Sequence, residues 1–190
     1  MNTDRRKNLH TLGRIAAATA LSPLAIPEAI AAPEAPAELA ALLPQPRLQG
    51  SGVLRFFGLR VYEARLWTAA GFEADDYAGH PFGLELIYDR RLEGPAIAER
   101  SVAEMRRVGS FDDASAKRWL ALMKRAFPDV AAQDRLLGFN DGQGGVQFFH
   151  NGKPTAQTTD AEYARLFFGI WLARQTSSTA LRDSLLGAAR

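Results

Sequence analysis

Residues 50–67 read Gly50-Ser51-Gly52-Val53-Leu54-Arg55-Phe56-Phe57-Gly58-Leu59-Arg60-Val61-Tyr62-Glu63-Ala64-Arg65-Leu66-Trp67. Two runs rich in strand formers flank Gly58, which predicts a hairpin or a sharply bent double strand turning at that glycine. Gly50, Ser51 and Gly52, at the entry to the first strand, have little bulk and tolerate unusual backbone angles. Arginines alternate with apolar residues along both runs, so one face can pack while the other carries charge.

Working outward, residues 68–81 read as a loop containing Asp75-Asp76, Gly79 and Pro81. Phe82, Leu84, Leu86 and Tyr88 then recur at period two, the pattern of a half-buried strand. Gly94-Pro95 opens a helix to about Arg107, with Ile97, Ala98, Ser101, Val102 and Met105 on its inner stripe. A second helix is expected from Asp113 to Phe127, capped by Asp112 or Asp113 and ended by Pro128. Strands follow at 135–140, 146–150 and 153–157, joined by Gly-rich and Asn-Gly turns. Thr159 and Glu162 have the spacing of a capping box for a helix carrying Tyr163, Leu166, Phe167, Ile170 and Trp171 inward. A last helix runs over about 178–186. Strands, two helices, strands and two helices, with short links between strands, predict an α+β domain: an antiparallel, open-faced sheet with helices packed on one face.

Residues 1–31 read as an export signal, with a basic start, an apolar run from Ile15 to about Ile26 and a small-x-small site at Ala29-Ile30-Ala31. Arg5-Arg6 followed by Leu9 resembles a twin-arginine signal, so a periplasmic or secreted location is expected. The apolar run is too short and too interrupted by Pro23, Pro27 and Glu28 to predict a membrane span after cleavage. Residues 32–47, rich in Ala, Pro and Glu, read as a flexible lead-in with one helical turn, and the domain itself as residues 48–190.

The chain carries 23 Lys and Arg against 21 Asp and Glu. Four of those bases and two of those acids lie in residues 1–31, which leaves nineteen of each in the body. A body without net charge has no global electrostatic attraction for nucleic acid or acidic membranes. With no cysteine there is no disulfide, thiolate metal site or cysteine nucleophile. No phosphate-binding glycine loop, nucleophile elbow or metal-ligand spacing occurs, so neither cofactor nor metal is expected. His150, beside Asn151-Gly152, reads as a turn residue rather than a base. Arg55 and Tyr62 on the opening strands, and Arg100 and Glu104 one turn apart on the first long helix, are the polar residues that stand out. Each also has a plain structural reading, for Arg100 and Glu104 that of an exposed i,i+4 pair.

The opening stretch, the segment PFGLELIYDRRLEGPAIAERSVAEMRR, the turn FFHNGK and the helix ending FFGIWL together resemble the chalcone isomerase-like proteins, and most of all their exported bacterial branch, over about residues 48–187. The resemblance implies an open sheet with a ligand cleft between sheet and helices. True chalcone isomerases position their substrate with an arginine, a threonine, a tyrosine and an asparagine. In this sequence those places fall on Leu54, Tyr62, Ile97 and Glu104, with Arg55 adjacent to the first. Strand alternation would turn Arg55 to the other face, so the resemblance transfers no catalytic residue.

What it implies instead is a non-catalytic protein that holds a small apolar or amphipathic, fatty-acid-like ligand near Arg55, Tyr62, Ile97 and Glu104. One alternative is an isomerase or intramolecular lyase acting on an unsaturated carbonyl compound, with Tyr62 as acid. The other is an envelope interaction module that uses the open sheet face rather than a cleft. The protein partner is left open.

Overall fold

The computed structural model describes residues 33–187, so the export signal read in residues 1–31 lies outside the described residues. The described residues begin with a single helical turn, α1 (Ala37–Ala40), and a hairpin of two ten-residue strands, β1 (Arg47–Phe56) and β2 (Leu59–Thr68). A 3-10 helix (Ala74–Gly79) leads to β3 (Pro81–Tyr88). Two helices follow, α2 (Gly94–Val108) and α3 (Asp113–Ala126), then strands β4 (Arg135–Asp141), β5 (Val146–His150) and β6 (Lys153–Thr158). Helices α4 (Ala161–Leu172) and α5 (Thr179–Leu185) end the described chain. The six strands pair in chain order, every neighbour antiparallel.

The predicted turn at Gly58 forms as a two-residue loop between the paired Phe56 and Leu59. Phe57 and Gly58 both take positive φ, +48° and +79°, the backbone handedness that suits the twist of a tight hairpin. Gly50 and Gly52 use their small bulk and not the backbone freedom that glycine allows. They lie inside β1 without positive φ, and their small size serves close packing instead. A Cβ on Gly50 would strike the backbone carbonyl of Ser184, and one on Gly52 would stand 2.8 Å from Leu181 Cδ1, so α5 can lie directly on the strand.

The main core fills the space between the sheet and the long helices. Phe82, Leu84, Leu86 and Tyr88 of β3 face Met105, Trp119, Met123, Phe167 and their neighbours. Two helix starts rest on carboxylates. Asp112 accepts a bond from Ser115 N at 2.7 Å. Asp160 accepts one from Tyr163 N at 3.0 Å and, on its other oxygen, one from Trp119 Nε1 at 2.8 Å. The Thr159–Glu162 box expected from the sequence is therefore displaced by Asp160, whose carboxylate reaches both the helix start and a buried indole.

The opposite face of the sheet is also covered. Leu39 and Leu43, both fully buried, pack on Trp67, Leu137, Phe139 and Phe149. The segment expected to be a flexible lead-in thus supplies a second small core, and β3 is buried on both faces rather than on one. Gly83 makes room for it, since a Cβ there would stand 2.7 Å from both Leu39 methyls. Charged groups under this cover form an ion-paired cluster, in which Glu38 Oε1 makes no hydrogen bond. Buried Glu85 accepts Trp67 Nε1 at 2.9 Å and Arg135 Nη1 at 3.3 Å, while Arg135 Nη2 reaches Glu38 Oε1 at 2.8 Å. Leu39→Ala is expected to lower unfolding free energy by about 2–5 kcal/mol, the usual range for emptying a packed leucine site. Urea denaturation checks this, and an unchanged midpoint would mean that the segment does not hold the fold together.

Candidate ligand-binding site

Between the β1–β2–β3 half of the sheet and helices α2 and α4 lies a cavity of about 640 Å³. Most of its wall is aliphatic or aromatic, with Leu54, Val61, Leu84, Leu86, Ile97 and Phe167 among the lining side chains. Arg55, Tyr62, Ile97 and Glu104, singled out from the sequence, all line this one cavity.

The ladder is irregular where Leu54 and Arg55 border the cavity, the extra residue belonging to β2. Leu54 pairs with Tyr62, but Arg55 pairs with Arg60, so the ladder skips Val61. An extra residue in one strand breaks the strict alternation of faces and re-aims the side chains around it. Arg55, which strict alternation would turn to the other face, borders the cavity as the site reading expected. Arg55 stays largely exposed at the margin, its Nη1 donating to Gly58 O at 3.3 Å.

Inside, the polar groups converge. Trp171 Nε1 donates to Tyr62 Oη at 2.9 Å, a buried bond between α4 and β2. Glu104 is buried although it sits on a helix, so it is not half of the exposed pair the spacing suggested. Its Oε1 meets Arg100 Nη2 at 2.6 Å, and its Oε2 accepts Ser177 Oγ at 2.7 Å with Arg107 Nε at 3.6 Å. Burial pushes the Tyr62 phenol well above its ordinary range, and the charge of Glu104 adds to the effect, while the Trp171 bond and Arg100 oppose it. Tyr88 packs edge-on against Tyr62 with ring centroids 5.8 Å apart, and its phenol too is pushed up by burial. Both phenols therefore stay protonated at neutral pH.

Leu54 and Ile97 do form part of an apolar wall, yet Tyr62 and Tyr88 also line the cavity, with three exposed arginines, Arg55, Arg90 and Arg100, at its margin. Sequence reading missed Tyr88, Arg90, Trp171 and Ser177. Tyr88 and Trp171 were indistinguishable from core residues at strand and helix spacing, and Ser177 carries no motif.

The sequence model of a family described as chalcone isomerase-like matches residues 34–187. This chain belongs to the chalcone isomerase-like family. The fold agrees with a solved structure, the fatty-acid binding protein of Arabidopsis thaliana, at a TM-score of 0.60 and 13% identity, over 77% of this chain and 89% of that one. An uncharacterized protein of Haemophilus influenzae is 27% identical over 127 residues, 67% of this chain. That match spans only 61% of the relative's own length. Among the described residues no helix is long and apolar enough to cross a membrane.

All four tyrosines of the chain, Tyr62, Tyr77, Tyr88 and Tyr163, have phenols pushed upward by burial. An unfolded tyrosine ionises near about pH 10. Above that pH the unfolded chain has lost protons that the native state keeps, so stability is fully present below it and falls as pH rises beyond it. In an alkaline titration, phenolate absorbance should grow only together with loss of the far-UV signal of the fold. A phenolate signal near about pH 10 in a still-folded protein would contradict this burial.

Proposed function

We propose that this protein is a non-catalytic carrier or sensor of one small apolar or amphipathic molecule of fatty-acid type, exported to the periplasm by its N-terminal leader. The observation that carries the reading is the mixed wall of the cavity. A volume of about 640 Å³ is a small-molecule size. Aliphatic and aromatic surface would take the apolar part of the ligand, each buried methylene contributing about 0.8 kcal/mol. The cluster at Tyr62, Arg100 and Glu104 would receive the polar end. A ligand carboxylate would be anchored by arginine, either Arg100 at the cost of its bond to Glu104 or Arg90, which has no ion-pair partner among the described residues. The family and the fatty-acid binding protein of like fold support this ligand class.

The charge state of the cavity supports binding rather than turnover. Glu104, the carboxylate among its lining residues, is engaged by Arg100, Arg107 and Ser177, which leaves it poorly placed to take a proton from a substrate. Native mass spectrometry of the purified protein should show a co-purified lipid or fatty acid. Extracting it should lower the melting temperature, since a ligand that binds only the native state stabilises it by mass action. A protein that purifies empty and gains no stability from added fatty acids would overturn the reading.

One observation favours a second reading. Neutral phenols at Tyr62 and Tyr88 beside Arg100 are suited to polarise a carbonyl oxygen, as an isomerase of unsaturated carbonyl compounds requires. Chalcone cyclisation above the spontaneous rate, abolished in Tyr62→Phe, would establish it. The interaction-module reading loses support, because Leu39 and Leu43 already occupy the sheet face it needs.

A further inference from the structure

The exposed large apolar side chains among the described residues are Phe56, Phe57 and Leu59, at 58%, 90% and 58% exposure. All three stand at the tip of the β1–β2 hairpin. Phe57 holds a positive φ of +48° there, an unfavourable backbone conformation for a bulky residue and one that asparagine or glycine adopts more readily. Phe56 packs its ring on Phe57 with centroids 4.5 Å apart, so the two form one aromatic knob. Phe56 and its neighbour Arg55 also line the cavity, which places the knob at the cavity margin.

The surroundings of the knob are basic. Arg55 and Arg60 flank it in sequence, and Arg90 follows Asp89, whose backbone N–H bonds to Val61 O. The carboxylate that answers them is Asp89, 3.1 Å from Arg60 Nε. A few apolar side chains ringed by arginines fall far short of the roughly 20–30 residues a side in a stable protein interface. They suit a lipid surface, where aromatic and aliphatic groups enter the headgroup boundary and arginines bind phosphate while their stems stay apolar.

We propose that the hairpin tip, Phe56 to Leu59, is a docking finger that inserts into the surface of an anionic phospholipid bilayer and brings the cavity margin against it. The inference extends the ligand reading, because an amphipathic ligand would then pass between bilayer and cavity without crossing water. Docking itself depends only on the tip.

The test is co-sedimentation of the full chain with sucrose-loaded vesicles of phosphatidylcholine, with and without phosphatidylglycerol, comparing the native protein with Phe57→Asn. Asparagine suits the positive φ, so this variant should fold at least as stably, which a thermal melt checks. Both proteins carry the same residues 1–31, so any difference between them belongs to the tip. The native protein should bind phosphatidylglycerol vesicles more tightly than neutral ones, and added salt should weaken it. Phe57→Asn should lose about tenfold in affinity, the scale expected when one phenylalanine no longer leaves water. Equal binding by the two proteins, or none by either, would overturn the proposal. So would a concentration-dependent dimer lost in Phe57→Asn without vesicle binding, which would assign the tip to a second copy of the chain. Native mass spectrometry on the same samples separates the two ideas. Vesicle binding by a protein that has no co-purified ligand and gains no stability from added fatty acids would leave docking standing and remove the carrier reading, and a ligand retained equally by both proteins without vesicle binding would do the reverse.

Discussion

The bond from Trp171 to Tyr62 fixes the geometry on which the cavity depends. An indole N–H and a phenol oxygen, both out of reach of water, satisfy each other between a helix and a strand distant in the chain. Such a bond contributes only about 1 kcal/mol net, but leaving either partner alone in the interior costs about 1–3 kcal/mol. That asymmetry holds α4 at one distance from β2. The Ser177–Glu104 bond then ties the segment after α4 to α2. Two polar links and an apolar wall thus set the width of the space between sheet and helices.

The electrostatics follow from the same arrangement. A buried carboxylate at Glu104 is tolerable because Arg100, Arg107 and Ser177 surround it. That carboxylate in turn raises the proton affinity of the nearby phenol. The buried part of the site therefore combines protonated phenols with an ion-paired carboxylate, while Arg55 and Arg90 at its margin have no ion-pair partner among the described residues.

Much of the fold could be read from periodicity. The Gly58 turn, the alternation of Phe82 to Tyr88 and the capping at Asp112 are local signals, and each appears in the structure where local chemistry puts it. What escaped the sequence was long-range. The Ala/Pro-rich stretch around Leu39 looks like a tether until Gly83 and Trp67 are seen to form a socket for it. The close approach of α5 that makes use of the small bulk of Gly50 and Gly52 is likewise a long-range fact. In the site, Tyr62, Glu104, Ile97 and Arg55 were legible as polar or aligned positions, and the structure brings them to one cavity. Tyr88 and Trp171 were not, because an aromatic residue that faces a cavity has the same spacing as one that faces packed core.

The strict chain order of the strands leaves one excursion long enough to carry α2 and α3, between β3 and β4. Within it a single helix supplies Ala96, Ile97, Arg100, Ser101 and Glu104 to the cavity wall. One part of the ceiling is thus carried by an excursion between two strands, while α4 carries another. Changing Ala96 or Ile97 on that helix would reshape the cavity wall without re-threading any strand or touching the bond from Ser177 to Glu104.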